Sequence, residues 1–236
     1  MSGKSGIYLD VPESLNSNSS TLSRTPSIRS LSPQSHYVPQ RENPTRKVVD
    51  SLLDTFLEEK LKCSPNSVIM EILELEICEH NDNPYHIYQW LFDNQNTLKY
   101  KSLLGFFLLM GIGCNQDLNM AYKLFMKGAR KNYLINKEMV SDCYLNGWGT
   151  QKNEEMAVHW YRSCADEGSV YGSLALGFCY ANGKGVKKDE VLAIRYFRSC
   201  ERFGNELAKK ELRKLRFDDE GGVAKNKRSR VEMRQR

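Results

Sequence analysis

The sequence predicts an all-α fold, a solenoid of stacked helix hairpins, and three observations carry the prediction. From residue 44 onward, apolar residues recur at spacings of three and four, which marks one face of a helix. Gly-x-Gly pairs recur every 36 residues, at Gly111 and Gly113, Gly147 and Gly149, and Gly183 and Gly185. The same period holds for Ala121, Ala157 and Ala193, for Asp117, Asn153 and Asp189, and for Phe125, Tyr161 and Phe197. Five columns in register over three units mark an internal repeat, and a unit this short hides its apolar face only when neighbours stack on it.

Residues 1–43 are rich in Ser, Thr, Pro, Asn and Gln ("SNSSTLSRTPSIRSLSPQS") and are expected to be disordered, because so few apolar groups cannot offset backbone entropy. Arg24 three before Ser27, and Arg29 three before Ser32 with Pro33 following, match basic-directed and proline-directed phosphorylation, a spacing common in any Ser-rich tail. Residues 44–99 are expected to form a helical N-terminal cap region. Val48, Val49, Leu52, Leu53, Phe56, Leu57 and Leu61 make one apolar stripe, and Pro65 ends or restarts the helix. "NSVIMEILELEICEH" reads as a second helix, although its Val and Ile content leaves a strand open. "NPYHIYQWLFDNQN" reads as a third, with Asn83 as cap and Pro84 in the first turn.

Residues 100–215 hold three repeats (100–135, 136–171 and 172–207) and a capping helix. The first half of each repeat has helical spacing and meets a glycine, where positive φ lets the chain leave the helix. The second glycine permits a tight reversal, and Asp117, Asn153 or Asp189 caps the next helix, an interaction worth about 1 kcal/mol. The alanine column lies where two helices pack closely. "ELAKKELRKLRF" starts like a fourth unit without a Gly-x-Gly after it, as a cap with a polar outer face. Residues 216–236 form a basic tail, expected to be disordered.

In the third unit, Leu176, Gly177, Tyr180, Gly183, Gly185, Asp189, Ala193, Tyr196, Phe197 and Gly204 resemble the Sel1-like repeat, a 36-residue relative of the tetratricopeptide repeat. The second unit fits at Tyr144, Gly147, Gly149, Ala157, Trp160, Tyr161, Ala165 and Gly168 but has Ser141 where glycine is usual, and the first has Leu108 for the tyrosine and Asn132 for the last glycine. The resemblance implies a right-handed α-solenoid with helical caps. A weaker likeness, "IYQWLFDNQN" before "SLLGFFLLMGIG", is similar to expanded fungal Sel1-repeat families whose arrays often follow kinase-like domains. No Gly-rich loop, HRD or DFG motif occurs in the chain, so a free-standing array is expected.

Composition and motifs narrow the function. The net charge of +5 is concentrated at the C-terminal end, +6 over residues 208–236 against −3 over residues 51–207, which argues against a nucleic-acid surface on the folded part. The seven cysteines lack CxxC spacing or a paired His, which points to small buried apolar groups rather than a metal site or disulfide framework. No GxSxG, HExxH, P-loop or dinucleotide fingerprint is present, and the GxG pairs follow helices rather than strands, so no enzyme, cofactor, metal or small-molecule substrate is expected. No stretch of 18 apolar residues and no apolar signal segment occurs, which argues against a membrane and for the cytoplasm. Nuclear import through "KNKRSRVEMRQR" stays open beside a solvated tail and nonspecific binding to nucleic acid or an acidic membrane.

The repeat resemblance implies a noncatalytic adaptor or scaffold that binds a partner peptide or helix in a concave groove. By analogy with tetratricopeptide repeats, the groove-facing positions are Phe106, Leu109, Asp142, Leu145, Phe178 and Ala181, with Met110, Asn146 and Asn182 at the rim. Such a surface suits apolar anchors with a basic residue, and the alternative is that the phenylalanines pack between helices. Trp148 is either an exposed contact or a cover over the seam between repeats. Two rival functions stand beside the adaptor: a regulatory subunit that activates an enzyme such as a kinase or cell-wall synthase, and a nuclear or nucleic-acid-associated factor acting through the basic tail.

Overall fold

A computed structural model of the chain describes residues 43–215, and the readings made on residues 1–42 and 216–236 lie outside the described residues. Among the described residues there are ten helices and no strand: α1 (Pro44–Leu61), α2 (Asn66–Glu79), α3 (Pro84–Asp93), α4 (Leu98–Met110), α5 (Leu118–Ala129), α6 (Leu134–Asn146), α7 (Glu154–Asp166), α8 (Val170–Asn182), α9 (Glu190–Arg202) and α10 (206–215). The hairpins α4–α5, α6–α7 and α8–α9 are the repeating units, and each packs on the next through its second helix.

The termini form where the local chemistry directs them. Asn43 accepts from the Thr45 N–H at 3.0 Å with Pro44 behind it, and Asn83 accepts from the Tyr85 N–H at 2.8 Å with Pro84 behind it. Asp117, Asn153 and Asp189 accept from Met120, Met156 and Leu192 at 2.8, 2.9 and 2.9 Å, satisfying orphan donors of α5, α7 and α9. Segment α2 is a helix despite its Val and Ile content, because Ile69, Leu73 and Ile77, four apart, all reach the core.

The glycine pairs serve two separate needs. Gly147 closes α6 in the left-handed region at φ 76°, and Gly111 and Gly183 do the same for α4 and α8. Gly149 also has positive φ, but its stricter constraint is contact: a Cβ there would overlap the Leu118 carbonyl at the start of α5. Gly185 meets Glu154 in the same way, and Gly113 meets Pro84. The second glycine is therefore a seam between units as well as a reversal within one. Since Pro84 opens α3 as Leu118 opens α5, α3 stands where the second helix of a preceding hairpin would stand.

The alanine column is buried at 0% exposure in all three units. Within the first and third units, Gly105 and Gly177 leave room for the rings of Phe125 and Phe197. Ser141 takes that place in the second unit and stays satisfied by donating to the Lys137 carbonyl at 2.7 Å.

Helix α1 does not join this stack. It touches α2, α3 and α4 and also α8, so it spans from the first unit to the third across their first helices. Val49, Leu52, Leu53 and Phe56 fix it to the core shared with α4, and Cys63, just past its end, packs on the cluster of Leu174, Ala208 and Leu212. Burial of the first helices follows from this cover. On α4 every residue from 102 to 109 is buried, whereas α8 keeps half-exposed positions at Ser173, Ala175, Phe178, Tyr180 and Ala181.

Candidate partner-binding groove

The placement of α1 divides the nine groove positions into two groups. Phe106 is fully buried with its ring 5.1 Å from that of Phe56, and Leu109 is 2% exposed, so neither lines an open surface. The first unit of the groove is filled by the chain's own helix, which the repeat pattern by itself does not disclose. Met110 is half-buried against the same core. Leu145, Asn146, Phe178 and Asn182 remain on a cavity, whereas Ala181 is half-buried beside it on the α8 cluster. The second and third units thus keep the open part of the groove.

Asp142 belongs to both groups. It touches the cavity, yet it is 4% exposed and accepts from the Tyr161 hydroxyl at 2.5 Å and from the Tyr171 hydroxyl at 2.8 Å. One turn earlier on α6, Glu138 is also buried and accepts from Ser169 at 2.5 Å. The basic group facing these carboxylates is Lys60 of α1, 3% exposed, its ammonium 4.8 Å from the centre of the Tyr171 ring and reached by no hydrogen bond. Burial raises the pKa of Glu138 and of Asp142, and Lys60 pulls both back down. Tyr161 and Tyr171 are pushed well above the ordinary phenol value by burial and by the Asp142 charge. Inside the molecule, Phe56 and Lys60, one turn apart on α1, bring an apolar ring and a cation to this face of the repeats. Lys60 was not singled out from sequence, though a signal existed: a lysine four residues after Phe56 on an apolar face.

The open cavity has a volume of about 460 Å³. Its walls come from α6 and α8, the turn between α1 and α2, Trp148 after α6, and Leu207 at the start of α10. Leu145, Trp148, Leu174 and Phe178 make it mainly apolar. Asn146 and Asn182, one repeat apart, stand exposed at its edge, each donating its amide to the carbonyl four residues earlier at 2.9 Å, so each Oδ1 stays available as an acceptor. Lys184 supplies one cation to the lining. Trp148 is half-buried, packs on the core of the first units and also lines the cavity.

Among the described residues no three His, Cys, Asp or Glu side chains cluster as metal ligands, and no helix is long and apolar enough to cross a membrane. Cys143, Cys164, Cys179 and Cys200 are buried, and burial pushes their thiols up to about 12, 12, 11 and 11. At neutral pH such groups are packing atoms rather than nucleophiles.

Comparison with known proteins agrees with this architecture. The family model of the Sel1 repeat matches residues 102–133, 139–169 and 171–199, one match to each hairpin. No curated protein matches the sequence. Among solved structures, the chain is similar to a Sel1 repeat protein from Oxalobacter formigenes at 30% identity and a TM-score of 0.49, over 55% of this chain and 54% of that one. It is similar to c5321, a protective antigen of uropathogenic Escherichia coli strains displaying an SLR fold, at 19% identity and a TM-score of 0.51, over 71% of this chain and 40% of that one. Helicobacter pylori cysteine rich protein B matches at 26% identity and a TM-score of 0.45, over 53% of this chain and 97% of that one. The likeness to c5321 is one of fold alone. The chain spans about half of the O. formigenes protein and less of c5321. All three are bacterial, and they do not bear out the likeness to fungal families. Proteins built from Sel1 repeats are generally protein-interaction adaptors on a non-enzymatic scaffold. The repeat period, the glycine seams and the family match agree: three stretches of this chain match the Sel1 repeat, one in each hairpin of a helical solenoid.

Proposed function

We propose that the protein is a noncatalytic adaptor that holds a segment of another protein in the cavity between α6 and α8. The observation that supports this is the division of the groove: α1 covers the first unit, and the remaining mouth combines apolar walls with two exposed acceptors one repeat apart. An extended peptide or a helix end inserts an apolar side chain between Leu145, Trp148 and Phe178 and donates backbone or side-chain N–H groups to Asn146 and Asn182. A volume of about 460 Å³ lies within the usual roughly 300–1,000 Å³ of ligand pockets, enough for a few apolar side chains.

The test is peptide-display selection on the full-length protein, beside a variant carrying Asn146→Arg and Asn182→Arg. Both positions are exposed, so the long side chains block the mouth while the core stays intact. The proposal expects peptides with a large apolar residue to be selected by the native protein and lost by the folded variant. Equal selection by both removes the cavity from the function.

A further inference from the structure

Helix α2 is apolar on two faces, and only one of them is covered. Ile69, Leu73 and Ile77 enter the core, whereas Val68, Ile72 and Leu75 form a second stripe on the outer side, with Val68 39% and Leu75 65% exposed and Ile72 half-buried. Apolar side chains grouped on the outer face of one helix make a surface that another segment can cover. Charge selects the kind of cover. Among its 14 residues α2 has four glutamates, Glu71, Glu74, Glu76 and Glu79, and no lysine or arginine. Glu76 is engaged by the Ser51 hydroxyl, and Glu71 and Glu79 stand exposed beside the stripe. A second copy of α2 would bring like charges together, and an acidic membrane surface would be repelled; a basic segment is attracted.

The chain contains such a segment. Residues 223–236 ("VAKNKRSRVEMRQR") hold six Lys or Arg and one Glu, with Val231 and Met233 two apart, a spacing that puts them on one side of an extended chain. The attachment point is close. Leu215, the last residue of α10 and the point from which the tail leaves, packs on the same apolar cluster as Cys63, three residues before α2 begins. The 21 residues beyond position 215 span up to roughly 70 Å when extended, against about 27 Å for α1, the longest helix of the fold. We propose that residues 223–236 dock on the outer face of α2 in the same molecule, their Lys and Arg on Glu71, Glu74 and Glu79 and their apolar side chains on Val68, Ile72 and Leu75. Tethering raises the local concentration of the segment to the millimolar range for short linkers, which makes modest surface contacts sufficient. The surface is separate from the cavity between α6 and α8, and failure of either proposal leaves the other standing.

Zero-length carbodiimide cross-linking of the full-length protein, read by mass spectrometry, tests the contact. The expected links join Lys225 or Lys227 to Glu71, Glu74 or Glu79, and they disappear at high salt, where surface charges are screened. They fall severalfold in a Val68→Ser, Leu75→Ser variant, which leaves every carboxylate and the buried face of α2 in place. Links scattered over other acidic residues, or unchanged by these substitutions, overturn the proposal. In an equal mixture of isotopically light and heavy protein, links within one label support docking within the molecule, and mixed links overturn it. A second variant, Lys225→Gln, Lys227→Gln, Arg228→Gln and Arg230→Gln, changes no residue of α1 to α10. Its α2 amides are expected to exchange with deuterium severalfold faster than in the native protein, and unchanged exchange refutes the docking.

Discussion

Replacing Lys60 with methionine tests the account of how α1 is held across the array. Lys60 is 3% exposed, and the carboxylates that face it, Glu138 and Asp142, are 5% and 4% exposed. Methionine keeps most of the side-chain volume and removes the cation, leaving two buried carboxylates without their counter-charge. Removing one partner of a buried ionic group typically costs about 3–5 kcal/mol. At about 2–4 °C per kcal/mol for a domain of this size, Tm falls by about 10 °C. Thermal and urea unfolding followed by circular dichroism at pH 7 measures it. The cost depends on pH with a definite sign. Both carboxylates have folded-state pKa values raised by burial, so their contribution is fully present below the ordinary carboxylate range and is lost as pH rises through the folded value. Lys60 lowers both values, and without it they rise further. The deficit of Lys60→Met therefore shrinks on going from pH 8 to pH 5, as the carboxylates take up protons. Adding Glu138→Gln and Asp142→Asn to Lys60→Met removes the charges on both sides and restores most of the stability at pH 7. A Lys60→Met protein within about 0.5 kcal/mol of the native one at pH 7, or a deficit that grows on acidification, refutes this reasoning.

Three further outcomes are expected. Gly149→Ala costs at least about 2 kcal/mol in urea unfolding, because the added methyl overlaps the Leu118 carbonyl at the seam between units, whereas Gly168→Ala, with nothing within 4 Å, costs about 1 kcal/mol for its positive φ alone. Phe106→Ala loses about 3–5 kcal/mol as a core cavity, while Asn182→Ala, exposed at the cavity mouth, stays within about 0.5 kcal/mol of the native protein. Maleimide at pH 7 labels Cys78 first, since it is the exposed thiol and the four buried ones are pushed up to about 11–12; mass spectrometry after short exposure counts the adducts, and early labelling of Cys143 would contradict its burial.

The 36-residue period, the capping residues and the first glycine of each pair were legible in the sequence, because each records a requirement inside one hairpin: an orphan N–H to satisfy or a helix to leave with positive φ. The second glycine was legible as a position but not as a cause. Its need arises from the backbone of a different unit, Leu118 beneath Gly149 and Glu154 beneath Gly185, and such a contact exists only once the units stack. The groove positions were legible to the same limit. Leu145, Phe178, Asn146 and Asn182 face the cavity as the repeat geometry implies, but Phe106 and Leu109 are covered. No local spacing tells where a helix outside the repeats will lie.

The sequence by itself determined that the chain is a stack of helix hairpins with a 36-residue period, since propensity, caps and glycines act over a few residues. Only the tertiary structure decided that α1 returns across the first helices as far as α8 and buries Lys60 against Glu138 and Asp142. That choice depends on the fit of Phe56 to Phe106 and on charges brought together from residues far apart in the chain. These long-range contacts determine how much of the groove stays open.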